Sequence, residues 1–90
     1  MRPYTFYLLM TFEAMVSGQD FLVNLGVHIR QIREINKISQ QNLADLCDLP
    51  KTTIGRIERA EMNTTIKTLV KIANALEIEP KELLNFNIKN

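Results

Sequence analysis

The stretch Ser39–Glu58 restricts the fold of this chain more than any other part of its sequence. Apolar residues recur on one side of its first half at helical spacing, namely Leu43, Ala44 and Cys47. Ile54 and Ile57 form a second apolar group, which is separated from the first by a segment that contains a proline. The pattern therefore predicts two short helices joined by a tight turn, Gln40–Cys47 and Lys51–Arg59.

The outward face of the second helix has almost nothing to bury and carries many hydrogen-bond donors. It consists of Lys51, Thr52, Thr53, Gly55, Arg56 and Arg59. An ordinary solvated helix has a similar face, so this composition alone assigns no function. Between Arg30 and Arg59, six basic residues stand against four acidic ones. This mild excess of positive charge favours a negatively charged partner.

A longer helix is predicted before these two, from Phe21 to about Asn36, with Asp20 as its cap. Its apolar residues follow three- and four-residue steps and comprise Leu22, Leu25, Ile29, Ile32 and Ile35. Gly26 interrupts this pattern at a cost of about 1 kcal/mol relative to alanine. We therefore expect another helix to pack closely against Gly26.

Two more helices are predicted after the pair. Thr65 can cap the first of them, Ile66–Leu76. Its apolar face consists of Ile66, Leu69, Val70, Ile72, Ala73 and Leu76. Pro80 opens the second, in which Leu83 and Leu84 are expected to point inward. The chain is thus expected to be all-α, with five helices around one core.

These elements resemble the helix-turn-helix of the Cro and phage-repressor family, also called the XRE family. The matching residues include Gln40, Leu43, Ala44, Ile54, Ile57 and the Glu58-Arg59 pair, and the likeness extends over residues 25–84. The family usually has glycine at the positions that Asp48 and Ala60 occupy here. The resemblance implies an all-α, five-helix, phage-repressor-like DNA-binding domain that spans residues 20–90.

In such a domain the helix Lys51–Arg59 is the recognition helix, which lies in the major groove of double-stranded DNA. The resemblance implies that Lys51, Thr52 and Arg56 reach base edges. Gly55 is expected to expose the backbone there and permit close approach. Contacts to phosphates are expected from Gln40, Thr53, Arg59 and Asn63.

The resemblance also implies an ion pair between Arg33 and Glu58 inside the fold. A buried guanidinium–carboxylate pair orients the two helices that carry it, and so sets the angle at which the recognition helix projects. The alternative is that the two charges are solvated on separate faces.

Residues 1–19 do not belong to this pattern and are assigned to an N-terminal extension. Its apolar stretch, Tyr4–Val16, is shorter than the roughly 20 residues of a membrane helix and lacks a clear signal-peptide cleavage site. We interpret it as a dimerisation strand that pairs with its copy in a second subunit. The alternatives are a non-functional extension, or a dimer interface near the C-terminus that includes Ile78, Leu84, Phe86 and Ile88.

The composition narrows the function further. One cysteine and one histidine exclude a disulfide framework and a multi-ligand Cys/His metal site. The net charge of +1 differs from the strong basicity of nonspecific nucleic-acid binders. No catalytic constellation or glycine-rich phosphate loop is recognisable. We therefore expect no enzymatic activity, no metal and no cofactor, and a cytoplasmic location.

The leading interpretation is a sequence-specific DNA-binding regulator of transcription. It would be a repressor or autoregulator that reads a palindromic operator as a homodimer. One alternative is the antitoxin of a toxin–antitoxin pair, with the toxin as a protein partner. Another is a protein-interaction adaptor that has kept the fold without DNA binding.

Overall fold

The computed structural model describes residues 16–88, which form four α-helices and a final 3-10 helix. The elements are α1 (Gly18–Ile35), α2 (Gln40–Cys47), α3 (Lys51–Glu58), α4 (Ile66–Ala75) and the 3-10 helix Pro80–Leu84. The all-α class is confirmed, whereas the expected count of five α-helices is not. The last element is too short for a regular α-helix, and the Glu82 N–H bonds to the Glu79 carbonyl only three residues back.

The first helix begins earlier than the sequence indicates. Ser17 is its cap, and the serine Oγ accepts a hydrogen bond from the backbone N–H of Asp20 at 3.0 Å. Asp20 therefore lies in the first turn, where its charge favours the positive end of the helix dipole. The predicted boundary between residues 19 and 20 falls inside α1, and the proposed dimerisation strand lies almost entirely outside the described residues. In the described part, no helix is long and apolar enough to cross a membrane.

The helices enclose one apolar core. Its buried residues are Leu25, Ile29, Leu43, Ala44, Cys47, Ile54, Ile57, Leu69, Ile72, Ala73, Leu76 and Leu83. Four residues that were expected to face inward are exposed instead: Ile35, Ile66, Val70 and Leu84. Ile35 is the last residue of α1 and Ile66 the first of α4, with 78% and 72% of their surface accessible, because no neighbouring element within residues 16–88 extends over these helix ends.

Each of the four α-helices ends in the same way. A residue with positive φ follows the helix and turns the chain back, and these residues are Lys37, Asp48, Ala60 and Glu77. The next backbone N–H then bonds to a carbonyl five residues earlier, as in the 2.8 Å bond from Glu61 to Arg56. Asp48 and Ala60 thus adopt the left-handed conformation for which the family usually uses glycine. The described chain keeps this geometry without glycine at any of the four positions.

Candidate nucleic-acid interface

The helix α3 is held by its apolar side and presents its polar side to solvent. Ile54 and Ile57 are 0% and 2% exposed and join the core. Lys51, Thr52 and Arg56 are exposed on the other side, as the sequence predicts. Among the described residues, these three side chains therefore line one solvent-exposed face of α3. Their contacts to bases stay a prediction.

The backbone of α1 touches the end of α3. A Cβ atom added to Gly26 would lie 2.5 Å from the carbonyl oxygen of Glu58 and 2.7 Å from that of Ile57. Real side chains do not approach backbone atoms this closely, so only glycine allows the two helices to meet here. This confirms the expected close packing at Gly26 and identifies α3 as the partner.

Arg33 and Glu58 form the expected buried ion pair. Arg33 donates from Nε to Glu58 Oε2 at 2.7 Å and from Nη2 to Oε1 at 3.0 Å. The hydrogen bond to Glu58 raises the pKa of the Arg33 guanidinium, although burial opposes the shift. Arg33 Nη1 also donates to the carbonyl of Ile38 at 2.8 Å, so the pair joins α1, α3 and the segment before α2.

Gln40 extends this network. Its side-chain Nε2 donates to Glu58 Oε1 at 3.0 Å, which ties the first residue of α2 to the last residue of α3. The structure thus gives Gln40 a partner within the protein that the sequence did not indicate. Its predicted phosphate contact stays a prediction.

The structure corrects the expectation for Gly55. This residue is buried, and a Cβ atom placed on it would lie 2.9 Å from Nη1 of Arg59. The Arg59 side chain folds back over α3 and covers Gly55, so the glycine does not offer exposed backbone to a ligand. Gly55 instead makes room for the guanidinium of the residue one turn later.

Arg59 is itself paired, with a residue that sequence reasoning missed. Its Nε and Nη2 atoms donate to the two carboxylate oxygens of Glu61 at 2.9 and 3.1 Å. Hydrogen bonding to Arg59 lowers the pKa of the Glu61 carboxyl, and the same bond raises the pKa of Arg59. The only sequence signal for this pair was an acidic residue two positions after Arg59. Ala60, between them, is left-handed and turns the chain back, which brings the two side chains together.

The two remaining predicted contact residues differ in exposure. Thr53 is half-buried in the first turn of α3, and Asn63 is exposed in the loop between α3 and α4. Gln19 was not predicted, yet its Nε2 donates to the carbonyl of Ala60 at 3.2 Å. This bond ties the start of α1 to the loop after α3 and helps to place the end of the recognition helix.

The comparisons with known proteins agree with this geometry. The helix-turn-helix family model matches residues 29–83, more than half of the chain, so the chain belongs to this family. It is therefore a sequence-specific DNA-binding regulator of transcription of the XRE type, as the fold and the exposed face of α3 also indicate.

Among its relatives is the control protein C.SmaI from Serratia marcescens, which is 38% identical over 79 residues that cover 87% of this chain and 94% of the relative. A similar solved structure is the restriction-modification controller protein C.AhdI from Aeromonas hydrophila. Its TM-score is 0.68 at 39% identity, with 69% of this chain and 94% of that one covered. The P22 c2 repressor in complex with a synthetic operator has a TM-score of 0.64 at 28% identity, with 71% and 97% covered.

Proposed function

We propose that this chain is the controller protein of a restriction–modification gene set, and that it binds an operator there as a homodimer to regulate transcription. The observation that carries the proposal is the 38% identity to a control protein over 87% of this chain and 94% of the relative. The solved restriction-modification controller with a similar fold supports it. These relatives and the repressor lend no support to an antitoxin or to an adaptor without DNA binding.

Operator binding would use α3 in the major groove. In this proposal Lys51, Thr52 and Arg56 would contact base edges, and Arg59 and Asn63 would contact the phosphate backbone. We propose no catalytic role for any residue of the chain. Cys47 is buried, and burial raises the pKa of its thiol, which opposes its use as a nucleophile. The protein would act in the cytoplasm, beside the DNA it regulates.

The proposed function is tested by footprinting on the DNA upstream of this reading frame and of the neighbouring restriction and methyltransferase genes. We expect one protected pseudo-palindrome whose two half-sites are about 34 Å apart, one turn of B-DNA. A reporter driven by that segment should change its output when the protein is expressed. Specific protection only at genes unrelated to restriction and modification would contradict the proposal.

The variant Arg56→Ala is expected to weaken operator binding by about 1–3 kcal/mol and to relax preference at one base pair of each half-site, because a guanidinium fork specifies guanine. Fluorescence anisotropy with every single-base operator variant measures both effects. Lys81→Ala is the control, since Lys81 is an exposed cation on the 3-10 helix, away from α3. Equal weakening on all operator variants would instead make Arg56 a phosphate contact.

The dimer contact is tested by removing residues 1–15. This deletion keeps Ser17, whose side chain caps α1, so the helix should still form. If the extension provides the dimer contact, sedimentation should show a lower dimer fraction and operator affinity should fall. Leu84→Asp tests the other candidate, because Leu84 is 43% exposed near the C-terminus. An unchanged dimer after the deletion, with dissociation in Leu84→Asp, would assign the interface to the C-terminal end.

A further inference from the structure

Glu61 contacts two exposed arginines, Arg56 and Arg59, although it lies outside α3. Its carboxylate accepts two hydrogen bonds from Arg59, at 2.9 and 3.1 Å. Its backbone carbonyl accepts a longer bond from Nη2 of Arg56, at 3.4 Å. A negative charge thus lies within the face that is expected to approach the phosphates of DNA.

Stability does not account for this arrangement. The side chains of Arg59 and Glu61 are 58% and 50% exposed, and ion pairs in such positions contribute little to folding. Near a polyanion, however, the same carboxylate matters, because it both neutralises a cation and repels phosphates. The position of Glu61 therefore points to DNA binding.

The pairing also leaves one edge of the Arg59 guanidinium available. Glu61 takes the Nε hydrogen and one hydrogen of Nη2, so the hydrogens of Nη1 and the second hydrogen of Nη2 are left for a ligand. The guanidinium is supported from below by Gly55, where a Cβ atom would lie 2.9 Å from Nη1. In this structure the guanidinium therefore lies between the Glu61 carboxylate and α3.

We infer that Glu61 is a positioning residue that raises the discrimination of this protein between its operator and other DNA. On nonspecific DNA, where binding depends on charge, Glu61 cancels much of the attraction that Arg59 would provide. On the operator, base contacts hold the protein in register, and the oriented guanidinium offers its remaining edge to one phosphate. The inference rests on operator binding by α3, and is independent of which genes the operator controls.

The test uses Glu61→Gln, which removes the charge and keeps the shape of the side chain. The probes are a duplex selected from random-sequence DNA by the unaltered protein and a shuffled duplex of equal length and composition. At 0.1 M salt, we expect affinity for the shuffled duplex to rise about three- to tenfold and affinity for the selected duplex to rise less. The ratio of the two affinities should fall about threefold. On the shuffled duplex, the salt slope should steepen by about 1 as Arg59 gains a phosphate.

Glu79→Gln is the matched control. Glu79 is also an exposed carboxylate that pairs with a basic residue two positions later, Lys81, at 3.3 Å. Glu79→Gln changes the net charge by the same amount as Glu61→Gln, but at a position away from α3. The affinities for the selected and the shuffled duplex should therefore remain unchanged. A similar rise in affinity in this control, or an equal rise on both duplexes in Glu61→Gln, would overturn the inference.

A second comparison tests whether Glu61 acts through Arg59. In an Arg59→Ala background, Glu61→Gln should no longer steepen the salt slope, and its effect on the shuffled duplex should shrink. A rise as large as in the native background would mean direct repulsion of DNA, and the positioning role would be wrong. If the unaltered protein selects no sequence, the inference and operator binding both fail. If it selects a sequence that lies outside any restriction–modification gene set, only the proposed function fails.

Discussion

The variant Glu58→Leu is expected to lose about 3–5 kcal/mol of the free energy of unfolding, because it leaves the charge of Arg33 buried without a partner. In the native protein, Arg33 and Glu58 are 8% and 9% exposed and share hydrogen bonds of 2.7 and 3.0 Å. Gln40 loses its acceptor in the same change. Urea unfolding followed by circular dichroism measures the loss.

The double variant Arg33→Met/Glu58→Leu separates charge from packing. It removes both charges and keeps similar side-chain volumes, so we expect it to recover most of the lost stability. The carbonyl of Ile38 accepts a hydrogen bond from Arg33 Nη1 at 2.8 Å. The double variant lacks this bond, so part of the lost free energy of unfolding should not be recovered. A double variant as unstable as Glu58→Leu would show that side-chain shape, and not the unpaired charge, is responsible.

Gly26→Ala is expected to lower the free energy of unfolding by about 2 kcal/mol and to weaken operator binding. The added Cβ would lie 2.5 and 2.7 Å from two carbonyl oxygens at the end of α3. Backbone oxygens cannot rotate away, so α1 and α3 must separate, at a cost that exceeds the roughly 1 kcal/mol by which alanine favours a helix. Thermal unfolding measures the loss of stability, and fluorescence anisotropy with the operator measures the loss of binding.

Gly18→Ala is the control for this prediction. Gly18 is the first residue of α1, and a Cβ atom placed on it would meet nothing within 4 Å. Its stability should stay the same or rise by up to about 1 kcal/mol, since alanine restricts the unfolded chain. A Gly26→Ala variant that is as stable as Gly18→Ala would mean that α1 and α3 do not approach each other as the structure shows.

Much of the fold could be predicted because its signals are local. Thr65 caps α4 by accepting a hydrogen bond from the backbone N–H of Thr68, three residues ahead, and this cap was predicted from its position alone. The three-residue spacing of Ile54 and Ile57 correctly placed the buried side of α3.

Three of the four errors in burial arose at helix ends. Ile35 and Ile66 continue the apolar period of their helices, and both were assigned to the core. Periodicity shows which residues share a face, but it does not show how far a neighbouring helix extends along that face. The same reason applies to Leu84, where the short 3-10 helix buries Leu83 and leaves its neighbour at the surface.

The candidate site was likewise predicted from the sequence only in part. The exposure of Lys51, Thr52 and Arg56 followed from the pattern, because these residues lie opposite the buried pair on one helix. The burial of Gly55 did not follow, since it depends on where the long side chain of Arg59 turns. In the structure that side chain is hydrogen-bonded to Glu61, which follows a left-handed residue, Ala60.

The sequence by itself determined which stretches are helical and which side of α3 faces the core, because caps and apolar spacing act within a few residues. The resemblance to the XRE family added the Arg33–Glu58 pair. Only the tertiary structure decided the partners of the polar side chains, such as the hydrogen bonds from Gln40 to Glu58 and from Arg59 to Glu61. These hydrogen bonds depend on how separate elements are placed in space, and no local pattern in the chain specifies that placement.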